Sequence, residues 1–270
     1  MATKKSPKTF SLISRRKLLA LYTALLRCRM MTEVAAAKVR RSKAAHEAPA
    51  VAVVLDLKPG DTIAAAERDF LPEFVKGASP EAILAALGVR PAHSPASFAA
   101  TLKATLAAAR THAKRKSRNI AAVFGNGASV SSAAWRNALH IAGTERLPIL
   151  FVSQPGADQL RRKDSASLGF PAIPVDGDDV VALYRVASEA QAHARRGNGP
   201  TLIECIPWPL ALQDGVHEAS DPIVNMERYL AHMGIPFERS KRKAIEEFGP
   251  SLRGGASART RVKAIKNTMR

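Results

Sequence analysis

Gly125-Asn126-Gly127 is the stretch whose residue types and spacing best suit ligand chemistry. It follows the apolar run Ala121-Ala122-Val123-Phe124, so the chain turns at the end of a buried strand. Two glycines there let a ligand approach the backbone closely, and the carboxamide between them offers one neutral oxygen. Elsewhere the chemistry is sparse. The seven histidines show no metal-ligand spacing, and His93 and His112 read as surface residues. The two cysteines, Cys28 and Cys205, imply neither a disulfide framework nor a zinc site and read as small buried hydrophobes. No catalytic residue is assigned, and no metal ligand.

The elements that position the turn form a βαβ unit. Ile120 to Gly127 reads as a strand and turn, Ser131 to Glu145 as an amphipathic helix and Pro148 to Ser153 as a second buried strand. Ala134, Leu139, Ile141 and Ala142 are placed on the helix's inner face. A right-handed crossover brings Gly125-Asn126-Gly127 to the carboxyl edge of the sheet, where ligands of open α/β sheets bind. Upstream, Ser79 to Arg90 and Ser97 to Arg110 read as helices. Downstream, Gln154 to Leu168 reads as a polar loop and Leu202 to Ile206 as a strand. Between them Asp178 is read as the N-cap of a helix that carries Val181, Tyr184 and Ala187 on one side and stops at Gly197 or Gly199. The fold class is α/β, a parallel sheet with helices on both faces, in which Ile120–Phe124, Ile149–Ser153 and Leu202–Ile206 share the sheet.

Several of these segments resemble the α subunit (E1 component) of thiamine-diphosphate-dependent 2-oxo acid dehydrogenases, those of the pyruvate, branched-chain and acetoin complexes. The resemblance rests on Gly125 and Gly127, on Asn137-Ala138-Leu139, and on Leu147-Pro148 with Phe151-Val152. It continues through Gly169 to Val180 and Gly199-Pro200-Thr201-Leu202-Ile203-Glu204, and spans about Lys17 to Glu238. It implies a thiamine-diphosphate-binding-like fold, with thiamine diphosphate and magnesium as cofactors and an E1 β-like subunit as partner in a homo- or hetero-oligomer. The cofactor-facing positions it implies are Arg68, whose guanidinium suits a diphosphate, and Gly125, Asn126 and Gly127. It also implies a helix over Val51 to Leu57, where the β-branched run alone suggests a strand; the helix is adopted.

This chain departs from the family pattern where the metal binds. Asn126 stands in place of an aspartate, and Pro155-Gly156 in place of Asn-Asn. The histidine-rich covering loop is missing after Arg90, and Trp208 to Gly215 replaces the family's aromatic-basic stretch near the active site. Magnesium is a hard cation that wants charged oxygens in octahedral array, so the isolated chain is expected to bind the cofactor poorly or not at all. Two readings stay open. One is an E1 α subunit that pairs with a β subunit and decarboxylates a 2-oxo acid; the other is a non-catalytic structural or regulatory partner that keeps the fold.

Composition fits one α/β domain with tails: 270 residues, 46% hydrophobic and 24% charged. The net charge of +18 is uneven, with +11 on residues 1–43, +8 on 239–270 and −1 between them. The division that follows is a basic N-terminal segment with one helix (1–43), an α/β domain (44–238) and a basic C-terminal tail (239–270). The tails are expected to be more mobile than the core, with helical pieces over Lys241 to Phe248 and at Ala264-Ile265. No aromatic-basic motif supports a nucleic-acid partner. Ser14-Arg15-Arg16-Lys17-Leu18-Leu19 resembles a twin-arginine export signal, but its leucines also fit a helix. The helix is preferred, with a cytoplasmic location and no transmembrane segment.

Overall fold

The computed structural model describes residues 12–38, 47–66, 69–89, 95–154, 168–206 and 221–251. Five strands make one sheet: β1 (Thr62–Ala65), β2 (Ala121–Asn126), β3 (Ile149–Gln154), β4 (Ala172–Asp176) and β5 (Thr201–Ile206). Their spatial order is β1-β2-β3-β5-β4, and every pairing is parallel. The three strands expected from their apolar runs therefore lie in one sheet. Its centre is β3, buried along its whole length, which is why consecutive positions there are apolar. Pro174 sits on β4, an edge strand, where its missing N–H breaks no ladder in the middle of the sheet.

Helices cover both faces, and handedness explains which goes where. From β1 to β2 to β3 the chain steps one way across the sheet, and a right-handed crossover puts the helix that enters each of β2 and β3 on one side. There α5 (Pro95–Lys114) and α7 (Ala133–Thr144) pack over Ala121, Val123, Ile149, Phe151 and Leu202. From β4 to β5 the step reverses, so α8 (Val180–Arg195) crosses on the other side. It joins α1 (Arg15–Lys38) and α2 (Glu47–Val54) over Ile120, Ala122, Phe124, Leu150, Val152, Ile203 and Cys205. Smaller helices complete the chain: α3 (Leu71–Lys76), α4 (Pro80–Val89), α6 (Gly127–Ser131), α9 (Pro222–His232) and α10 (Glu238–Ser251).

Local chemistry sets the helix boundaries. Ser79 Oγ accepts from the Ala82 N–H at 3.2 Å at the start of α4, and Asp221 Oδ1 accepts from the Ile223 N–H at 2.8 Å to cap α9. The cap of α8 lies one residue later than expected. Asp179 accepts from the N–H groups of Val181 and Ala182, while the Asp178 N–H donates to Asp176. Val51-Ala52-Val53-Val54 is helical despite its β-branched residues, because every residue of α2 is buried against the core and packing overrides propensity.

The segment expected as one helix from Ser131 is two, broken at Ser132, whose hydroxyl caps α7 by accepting from the Trp135 N–H at 3.1 Å. The buried face of α7 carries Trp135 and Ala138 beside the expected Leu139 and Ala142, and the expected Ala134 and Ile141 pack partly buried against the same cluster. His112 is also not a surface residue. It is half-buried at the end of α5, its Nε2 is enclosed without a partner among the described residues, and burial lowers its pKa. His93 lies outside the described residues. Cys28 and Cys205 are free, buried thiols, pushed up in pKa by that burial.

Leu18 of the twin-arginine-like stretch and Leu21, Leu25 and Leu26 after it are fully buried on α1, and Leu19 packs partly buried against the same core. α10 docks beside that helix with Ala244, Ile245 and Phe248 buried, and the Arg27 guanidinium lies 5.0 Å from the Phe248 ring centroid. Lys241 to Phe248 is thus helical, while Lys4 to Lys8 and Ala264-Ile265 fall outside the described residues. Among the described residues no helix is long and apolar enough to cross a membrane.

Candidate functional site

β2 delivers Gly125-Asn126-Gly127 to the carboxyl edge of the sheet. The two glycines are required for different reasons. A Cβ on Gly125 would lie 2.8 Å from the Trp135 ring, so this glycine makes room for an indole. That indole is fully buried, stacked on Phe98 with centroids 6.0 Å apart and edge-on to Phe151 at 5.3 Å. Gly127 has φ +42, a left-handed conformation that favours glycine, and nothing lies within 4 Å of where its Cβ would be. Its outer side is open, as a ligand-facing turn requires.

Asn126 sits between them in extended backbone at the N-cap position of α6, yet its side chain makes no capping hydrogen bond. Across the ladder its register partner is Gln154, at the end of β3. Gln154 is 2% exposed, and neither its Oε1 nor its Nε2 has a hydrogen-bond partner among the described residues. A buried polar group with no partner costs on the order of 1–3 kcal/mol. Reading Gln154 as the start of a polar loop missed it. The signal was the register, because an apolar strand paired along β2 as far as Asn126 carries one further buried residue past Ser153.

Farther along the same edge, β5 carries Glu204 and β4 ends at Asp176, whose pKa is raised by burial. At the paired ends of β2 and β3 the described residues are thus the carboxamides Asn126 and Gln154, with Asp69 following β1 on one side and Glu204 on β5 on the other. Among the described residues no group of three His, Cys, Asp or Glu side chains could hold a metal ion. A magnesium diphosphate needs several hard, charged oxygens in near-octahedral geometry, and the neutral amides of Asn126 and Gln154 do not fit that demand. Each amide offers both an acceptor and donors, which suits a neutral hydrogen-bonding group. Arg68, Pro155 and Gly156 lie outside the described residues.

Comparison with known proteins decides the family. The model of the dehydrogenase E1 component family matches residues 88–253, more than half of the chain. The chain belongs to that family. Among its curated relatives, it is 32% identical over 151 residues to the pyruvate dehydrogenase E1 component subunit alpha-3, chloroplastic, of Arabidopsis thaliana, covering 47% of this chain and 35% of that protein. To the 2-oxoisovalerate dehydrogenase subunit alpha of Bacillus subtilis (strain 168) it is 27% identical over 162 residues, 50% of this chain and 49% of that one. To the pyruvate dehydrogenase E1 component subunit alpha of Staphylococcus aureus (strain Mu50 / ATCC 700699) it is 27% identical over 185 residues, 57% and 48% respectively. The chain thus spans between about a third and a half of the length of these relatives. As an E1 α-like family member it carries, within the matched region, the strands β2 to β5 and the Gly125-Asn126-Gly127 turn; Arg68 precedes that region.

Proposed function

We propose that this protein is an E1 α-like subunit that keeps the scaffold of the 2-oxo acid dehydrogenase α chain, pairs with a separate E1 β-like chain and has a reduced magnesium–diphosphate site. The observation that carries this reading is the end of β2, where the register partners Asn126 and Gln154 are both carboxamides and not carboxylates. In the family that the sequence resembles, this edge faces thiamine diphosphate, whose own ring system supplies the carbanion chemistry while the protein positions it. Here Gly127 leaves the approach open, Asn126 supplies one neutral oxygen, and Arg68 is the residue proposed to meet the diphosphate. Lowered metal affinity follows from lost charge. The role left to the chain is that of a partner subunit, with the domain as residues 44–238 and basic segments at either end.

Calorimetric titration of thiamine diphosphate with magnesium tests this, on the chain alone and with a candidate E1 β-like subunit. Wild type is expected to show no binding at tens of micromolar in either form. Asn126→Asp, which restores a charged oxygen, is expected to bind measurably more tightly in the paired form. Micromolar binding by the wild-type pair, with turnover of a 2-oxo acid, would replace this reading with that of a working E1 α subunit.

A further inference from the structure

The opposite edge of the sheet carries a second concavity. It has a volume of about 870 Å³ and is walled by Lys58, Lys116, Arg118, Arg146, Arg195 and Arg196. These residues come from the turn before β1, the end of α5, the turn before β3 and the end of α8, which topology gathers at the amino ends of the strands. The strand β2 runs from this edge to Gly125-Asn126-Gly127, a separation of roughly 15 Å at about 3.3 Å per residue. We propose that this basic cavity binds a polyphosphate-type anion, recognised through its phosphates and not through a ring or base.

Cations at helix C-termini have an ordinary explanation, since they offset the negative end of the helix dipole. Magnitude decides against that explanation here. Three helix ends, those of α5, α7 and α8, bring about half a negative charge each, roughly −1.5 in all, against six cations. Asp61 supplies one further negative charge by pairing with Arg195, whose Nη1 also donates to the Arg118 carbonyl at 2.7 Å. Among the described residues the other five cations have no carboxylate partner. They repel one another around one hollow, and a multiply charged anion relieves that repulsion.

Backbone conformation points the same way. Lys116 and Arg146 both have φ +48, just past the ends of α5 and α7, a position that selects glycine or asparagine. Elsewhere the chain uses glycine there, as with Gly77 after α3 and Gly197 after α8. Both exceptions are long cations, and both line the cavity. Strained residues held against their preference mark places where the side chain itself is needed. The lining includes no aromatic side chain on which a base could stack, while the three guanidinium forks not engaged by Asp61, those of Arg118, Arg146 and Arg196, suit phosphate oxygens. A volume near the upper end of ordinary ligand sites, roughly 300–1,000 Å³, holds a chain of phosphates with room to spare.

The test is calorimetric titration of the full chain with sodium tripolyphosphate at low salt, beside orthophosphate and hexaglutamate. One tripolyphosphate is expected per chain, bound at least tenfold more tightly than either comparator. Lys116→Glu with Arg146→Glu should weaken binding at least tenfold, whereas Lys103→Glu with Arg228→Glu, on other surfaces, should change it less than threefold. Lys116→Gly with Arg146→Gly separates binding from folding: it relieves both left-handed positions, so binding should fall while the melting temperature holds or rises. Absence of tripolyphosphate binding, equal losses in the two charge-reversed pairs, or hexaglutamate binding as tightly as tripolyphosphate would each overturn the proposal, the last in favour of an acidic peptide.

Discussion

Gly125 shows how a residue suited to ligand approach is fixed by packing instead. Its missing Cβ is occupied by the Trp135 ring, held between Phe98 and Phe151 with no exposed surface, so the indole has little freedom to retreat. Gly125→Ala is expected to cost about 1–3 kcal/mol through overpacking, and less in a Trp135→Phe background, where the smaller ring yields. Urea unfolding of the four proteins of that cycle checks it; an equal cost in both backgrounds would remove the indole from the explanation. Trp135 was legible in principle, because 135, 138, 139 and 142 follow helical spacing. The face read from the sequence held Leu139 and Ala142 but left out Trp135 and Ala138, which the same spacing reaches from the N-cap serine Ser132. The lone amide of Gln154 was less legible still, since burial of a polar strand end is decided by neighbouring strands distant in sequence.

Between elements, two buried charge networks join parts far apart in the chain. Arg29 of α1 donates to both oxygens of Glu47 on α2, at 2.7 and 2.8 Å, and to Asp221 before α9 at 2.9 Å. Glu47 is almost fully buried, so Arg29→Met leaves an unpaired carboxylate in the core and is expected to cost about 3 kcal/mol by urea unfolding. Adding Glu47→Gln should recover part of that loss; no recovery would mean that the guanidinium acts through packing. Asp61 forms the second network. It accepts from Arg195, from the Ile120 N–H at 2.9 Å and from the Lys58 N–H at 2.7 Å, tying the start of β2 to the end of α8. Burial raises its pKa, but those hydrogen bonds outweigh the burial and hold it below the ordinary carboxylate value. A carboxylate with a depressed folded-state pKa adds stability above its unfolded value, about 3.9, and loses it as pH falls through the lower folded value. Melting temperature should therefore fall as pH drops below about 4, and Asp61→Asn should lose that part of the slope. Elements were the scale at which the sequence spoke most clearly, through local signals such as Ser79 and Gly199-Pro200-Thr201. α2 was the exception, its β-branched residues being helical because the whole segment is buried.

At the scale of the molecule, averaging charge along the chain concealed its arrangement in space. Residues 44–238 sum to −1, which placed the basic character in the termini, yet that same region gathers six cations around one cavity. Folding brings together turns that lie dozens of residues apart, and no segment total records it. By sequence the terminal segments still carry most of the net charge, +11 and +8. A flexible duplex reaches many cations at once, and each phosphate neutralised releases counterions, so log affinity should fall linearly with log salt by about 0.9 per contact. Residues 252–270 hold six Lys and Arg and no acid, so ending the chain after Ser251 should lower that slope by at most about 5. Binding of this kind reads charge and not bases, because positioning contacts to phosphates carry no sequence information. Fluorescence anisotropy with two unrelated duplexes, at four salt concentrations, compares the full and shortened chains. Equal affinities for both duplexes and a shallower slope on shortening are expected; a preference above tenfold for one duplex, or a slope unchanged by the truncation, would show that the basic C-terminal residues are not what the polyanion contacts.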